Sequence, residues 1–321
     1  MNKIFRPFYL FLFLSLYGVS TVLAQSNGVG FQYYQSLIYV HVKINNKPGL
    51  VFLLNTGANT SVLNTQTANI IRLPEVREDS VEGTVGYERV KVLRIAKIQL
   101  GDARVDNMEI TKRDLSKWPA PDQKPLDGIL GTDFLRQFYV TIDFKAHKLL
   151  LTPKKPSVKY LYNFPFEMED NIPQMNVKLN DSIRIPLRYN TGVSLVGNRD
   201  IFINISYDTW RKLKNLDMTL TTESYMTGTA VGGNVYLPVV QIRSMEISDF
   251  IVRSPYVIIQ PEEGYFKRPD AVGFLGNNFM EKFEKVCINF NEQKIYFNIP
   301  KARAANIVVK KPINKSTRKR T

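Results

Sequence analysis

Hydrophobic and polar positions alternate along much of this chain. In Ile38-Tyr39-Val40-His41-Val42-Lys43-Ile44, the residues Ile38, Val40, Val42 and Ile44 share one strand face, and His41 and Lys43 take the other. Asn45-Asn46-Lys47-Pro48-Gly49 then reads as a hairpin turn leading into a strand over 50–54. The pattern predicts further strands at 61–63, 90–100, 105–110, 139–144, 175–179, 183–189 and 286–290. Helices are shorter and fewer. One is expected after Thr65 and one after Thr132 or Asp133. Two more are expected after Ser206 and Asn277, each residue serving as an N-cap. A connector is expected over 154–165.

One motif recurs within this pattern. An apolar extended run ends in Asn55-Thr56-Gly57 and, much later, in Asn190-Thr191-Gly192. Each is followed by a Gly-bearing hairpin tip, at Gly83–Gly86 and Gly228–Gly233, and then by two hydrophobics plus Gly. These partners are Ile129-Leu130-Gly131 and Phe274-Leu275-Gly276, and a helix signal follows each. The interval from Gly192 to Gly276 is ten residues longer than that from Gly57 to Gly131, which suits the longer helix and hairpin of the second copy. Such an order, met twice, points to a duplicated, mainly β module. If both turns face one cleft, Asn55 and Asn190 are the centre of its site.

These residues resemble the retropepsin-like and pepsin-like aspartic proteases over about residues 33–299. The carriers are Phe52-Leu53-Leu54-Asn55-Thr56-Gly57-Ala58 with Asp127-Gly128-Ile129-Leu130-Gly131, and Asn190-Thr191-Gly192 with Phe274-Leu275-Gly276. The resemblance implies the aspartic protease fold: two homologous six-stranded-type β lobes with an inter-lobe cleft. It implies a cross-link of the two turns by the hydroxyls of Thr56 and Thr191, a tight backbone at Gly57 and Gly192, and a hydroxyl at Ser194 bonding the dyad from outside. Asn59 departs from that pattern in the first copy. Tyr87 and Tyr225, near the hairpin tips, are further candidates for ligand contact.

The departure at the centre matters most. The family's chemistry uses two carboxyls sharing a proton, so that their pKa values separate. An amide does not titrate in this range; it only donates and accepts hydrogen bonds. Asn55 and Asn190 therefore imply a pseudopeptidase that holds an extended peptide or protein segment without cleaving it. An active aspartic-type endopeptidase and an envelope structural or assembly protein remain as alternatives.

Composition adds the setting. With 321 residues and 44% hydrophobic content the chain can bury two cores. Lys3 and Arg6 precede an apolar run from Phe8 to Tyr17, shorter than the ~20 residues of a membrane span, and Val22-Leu23-Ala24 follows. A signal peptide over 1–24, cleaved near Ala24, is expected, and with it a bacterial periplasmic or secreted protein. The expected divisions are an N-terminal lobe over 25–158, a C-terminal lobe over 159–300 and a basic, disordered tail over 301–321. The single cysteine, Cys287, precludes an internal disulfide and falls in a strand as a buried residue. With two histidines, His41 and His147, far apart in sequence, neither a metal nor a cofactor is expected. The net charge is +14, and Lys310, Lys311, Lys315, Arg318, Lys319 and Arg320 occur without an intervening acid. That tail suits an anionic envelope surface. No fold for specific nucleic-acid recognition is evident, and a monomer is expected.

Overall fold

The computed structural model describes residues 28–82, 87–118, 120–194, 200–230, 233–300 and 306–310. The expected leader, the hairpin residues 83–86 and 231–232, and the chain beyond 310 lie outside these.

The structure is mainly β. Strand Leu37–Ile44 places Ile38, Val40, Val42 and Ile44 inside and leaves His41 and Lys43 exposed, as alternation requires. Leu37 and Tyr39 break the alternation because they enter a second small core with Leu53, Val62, Leu115, Leu126 and Ile129. The following strand starts at Lys47, three residues earlier than expected, so the turn tightens to Asn45-Asn46, with Asn45 at positive φ.

Three sheets organise the strands. An eight-stranded sheet takes residues 32–34, 37–44, 47–54, 128–130, 62–64, 103–113, 87–100 and 75–82 in that spatial order. An eleven-stranded sheet runs from 172–179 through 183–189, 273–275, 202–206, 256–260 and 233–241 to 224–230, which is the same order of equivalent strands. Its other side continues through 244–247 and 250–253 to 307–309, and 167–169 pairs with 172–179. The sequence repeat is therefore a repeat of strand order.

The hydrophobic-hydrophobic-Gly partners sit where the pattern suggests. Phe52, Leu53 and Leu54 run parallel to Gly128, Ile129 and Leu130. Leu187, Arg188 and Tyr189 run parallel to Gly273, Phe274 and Leu275. A third, six-stranded sheet joins the halves. Val140–Asp143 pairs antiparallel with Lys285–Ile288, so each half supplies a central strand. Its inner face carries Val140, Ile142, Leu149, Val286, Ile288 and Ile295 into one continuous core.

Several local expectations change. Asn64, not Thr65, caps the helix Thr65–Ile71, its Oδ1 accepting from Gln66 N. Ser206 caps Tyr207–Leu216 as expected, accepting from Thr209 N. Asn277 does not cap Asn277–Met280; that helix starts from Gly276, because the Asn277 side chain is engaged by the second turn. Helix Thr132–Leu135 likewise has no side-chain cap and ends before Phe138. Part of the expected connector, Tyr162–Pro165, is a strand beside Lys294–Phe297. Ile307–Val309 lies in the expected disordered tail but pairs with Phe250–Val252, since three β-formers complete an open sheet edge. Cys287 is buried in its strand, and burial raises its thiol pKa.

Candidate functional site

The strands ending at Leu54 and Tyr189 deliver the two Asn-Thr-Gly turns to one junction. Each turn is anchored to its Leu-Gly partner strand: Asn55 N donates to Leu130 O and Asn190 N to Leu275 O, both at 2.9 Å. The threonines then lock the turns together. Thr56 N donates to Thr191 Oγ1 at 3.0 Å, and Thr191 N donates to Thr56 Oγ1 at 3.1 Å. Each hydroxyl donates onward, Thr56 Oγ1 to Tyr189 O at 2.6 Å and Thr191 Oγ1 to Leu54 O at 2.7 Å. Both threonines are fully buried. Each hydroxyl uses its donor and one acceptor, so four backbone groups at the junction find partners. The cross-link expected of Thr56 and Thr191 is present.

Gly57 and Gly192 are required by close approach. A Cβ on Gly57 would fall 2.2 Å from Asn190 Cγ, and one on Gly192 would fall 2.4 Å from Asn55 Nδ2. Each carboxamide thus lies over the glycine of the opposite turn. Gly57 N donates to Asn55 Oδ1 at 2.8 Å, and Gly192 N donates to Asn190 Oδ1 at 2.9 Å. Asn55 is buried and Asn190 half-buried.

The support behind the turns differs between the halves. Asp133 accepts from Ser61 N and Ser61 Oγ, both at 2.7 Å, while Ser61 Oγ accepts from Gly131 N. Burial pushes the Asp133 carboxyl above its usual range, opposed by bonds from Ser61 and Phe134. At the equivalent place Asn278 Nδ2 donates to Asp200 O at 2.6 Å. Beside it, Asn277 Nδ2 donates to Thr191 O and Ser36 O, and Tyr189 Oη donates to Asn277 Oδ1. The remaining acids that the motifs suggested are engaged elsewhere. Asp127 accepts from Val51 N and Thr67 Oγ1, and Asp143 pairs with Lys285 at 2.6 Å.

Ser194 departs from its expected role. Its hydroxyl donates to Gln35 O at 2.5 Å rather than to the Asn190 side chain. It ties the second turn to the Tyr34–Leu37 turn, where Gln35 and Ser36 both take positive φ. Tyr87 is exposed and donates to Glu82 Oε1, and Tyr225 stacks on Tyr236 with centroids 5.3 Å apart. Neither ring reaches the turns through any contact among the described residues.

Two features carried no signal in the sequence. Arg268 pairs with Glu82 at 3.1 Å and Asp270 at 2.8 Å, so the first-half hairpin touches the loop before the second Leu-Gly strand. A pocket of 350 Å³ opens between the Tyr34-Gln35 turn and Ser116, Lys117, Trp118 and Lys124. Its Gln35 wall is bonded to the second turn through Ser194, and Trp118 packs on the same small core as Ala58 of the first.

Residues 40–134 match the aspartyl protease family model. That stretch holds the first Asn-Thr-Gly turn and its Leu130-Gly131 partner, and it ends before the second turn. The Protein DDI1 homolog 1 of Bos taurus is 28% identical over 121 residues, 36% of this chain and 28% of that protein. The chain therefore spans little more than a quarter of the length of the curated relative it matches. The aspartyl-protease-like segment and the mainly β architecture agree. Repeated strand order and the reciprocal threonine bonds relate the second half to that segment.

Proposed function

We propose that this protein is a pseudopeptidase of the aspartyl protease type, which binds an extended peptide or protein segment in a cleft between two lobes without cleaving it. The observation that carries this reading is the pair Asn55 and Asn190, two non-titrating amides at the centre of a reciprocally cross-linked double turn. General acid–base help contributes about 10²–10⁴ in rate, and neither amide can supply it. The segment would add strand-like main-chain hydrogen bonds beneath the hairpins 75–82/87–100 and 224–230/233–241.

The test is restoration. Asn55→Asp with Asn190→Asp is expected to create proteolysis of an unfolded protein with an acid optimum, where the unaltered chain shows none. Cleavage by the unaltered chain that a statine-type inhibitor blocks would overturn the reading.

The leader pattern around Lys3, Arg6 and Ala24 supports export to the periplasm or medium, checked by sequencing the amino terminus of the protein isolated from its source. The run of cations from Lys310 supports contact with an anionic envelope surface. Deleting residues 311–321 should then release the protein from anionic vesicles.

A further inference from the structure

The two amides are oriented by groups that can only donate. Because Gly57 N–H and Gly192 N–H offer no acceptor, each Asn oxygen must face its own turn, which leaves both Nδ2 groups as the free ends. Neither Nδ2 donates to any atom among the described residues. The centre of the site therefore presents two amide donors that no described residue engages.

We propose that Asn55 and Asn190 form a donor cradle for a carboxylate, and that the ligand is a peptide presenting its free C-terminal carboxylate there. The proposal rests on the peptide-binding reading above and adds the chemical group that the centre recognises. A carboxylate brings two oxygens that only accept, one for each amide. Hydrogen bonds to a charged acceptor are roughly twice as strong as neutral ones. A carboxyl pair in the same place would repel such a ligand whenever ionised; the amides carry no charge.

The pocket linked to the second turn through Gln35 and Ser194 has Lys117 and Lys124 in its wall. Lys117 makes no ion pair among the described residues, although, alongside the hydrogen bonds from Ser116, its charge helps to hold the nearby Asp114 carboxyl below its usual range. Lys124 pairs with an exposed Asp122, at 3.4 Å. Asp133, the half-buried acid behind the first turn, is occupied by the Ser61 amide and hydroxyl. Trp118 and Tyr34 supply apolar surface in the same pocket.

The experiment compares three probes on the purified full chain: acetyl-Leu-Val-Phe with a free carboxylate, its carboxamide twin, and acetyl-Leu-Val-Glu as the carboxamide. The readout is the side-chain NH2 resonances of Asn55 and Asn190, assigned through the single Asn→Asp variants. The free acid is expected to move both resonances and to bind roughly tenfold more tightly than its carboxamide twin. In Asn55→Asp with Asn190→Asp, that preference should vanish at neutral pH. If the Glu-bearing carboxamide matches the free acid, the C-terminal carboxylate is overturned as the recognised group, although the amide pair still prefers a carboxylate. Equal binding of acid and carboxamide, or unmoved Asn resonances on binding, would overturn the cradle and leave peptide binding intact. No binding by any probe would overturn both. The comparison of twin probes needs no variant, so a misfolded mutant cannot obscure it.

Discussion

The first and second Asn-Thr-Gly turns have the same backbone and the same reciprocal threonine bonds, yet they stand on different chemistry. Behind the first lies an acid and a hydroxyl, Asp133 with Ser61; behind the second lie two amides and a phenol, Asn277 and Asn278 with Tyr189. The adjacent sheet faces differ in the same way. Leu53, Val62 and Ile129 fill an apolar cluster, whereas the equivalent strand positions hold Arg188, Asn204 and Phe274. Arg188 pairs with Asp170 at 3.1 Å and lies over the ring of Tyr265, 4.9 Å away, while its buried Nε has no partner among the described residues. The turn thus needs its backbone groups bonded from behind, and either an ionisable or a neutral set can do it. What must be shared is the contact between the turns, where the halves meet and each threonine completes the other.

The shared contact is the first thing to break. Thr56→Val removes the acceptor of Thr191 N and the donor to Tyr189 O, leaving two buried groups orphaned. A loss of about 2–5 kcal/mol is expected by denaturant unfolding, with Thr191→Val costing a similar amount. A much smaller loss from either would show that the two threonines are not equivalent.

A narrower change tests the close approach. Gly192→Ala brings a methyl to 2.4 Å of Asn55 Nδ2, and about 1–3 kcal/mol should be lost as the amide is displaced. Gly57→Ala should act on Asn190 in the same way.

The difference between the halves shows next, in pH dependence. Burial holds the Asp133 carboxyl above its ordinary range, so the folded chain keeps this proton more tightly than the unfolded one. Its contribution to stability is therefore lost as pH rises from about 4 toward the raised value. Asp133→Asn should flatten that slope and cost about 1–2 kcal/mol, because its NH2 would face a Ser61 donor. Asn278→Ala should leave the slope unchanged, since no ionisable group stands there. Thermal melts across this range check both; an unchanged slope in Asp133→Asn would remove the carboxyl from the account.

The smallest effect should come from the link between the hairpin and the second half. Glu82 and Arg268 form a solvent-screened pair, and Glu82→Gln should cost about 0.5 kcal/mol or less. A larger loss, abolished by high salt, would mean that the pair is less screened than its exposure indicates.

Much of this could be read from the residues. Alternation around Ile38–Ile44, the Ser206 cap and the two Leu-Gly partners all depend on neighbours a few positions apart, and each was found where expected. Asn64 was missed because its neighbour Thr65 is an equally good cap by type. Ser194 was misassigned because the Gln35 carbonyl that accepts from it is 159 positions away. The strand at Ile307–Val309 was hidden by the cations beyond it, although three consecutive β-formers marked it.

By itself, then, the sequence determined the module, its duplication and the identity of the central residues, because spacing and side-chain type are local properties. Only the tertiary structure decided that Thr56 and Thr191 bond across the junction, and that strands from both halves share a central sheet. It also decided that the glycine N–H groups turn both Asn oxygens inward and leave the NH2 groups free. Those outcomes depend on groups far apart in the chain, and hydrogen-bond direction is settled only when the atoms at both ends are in place.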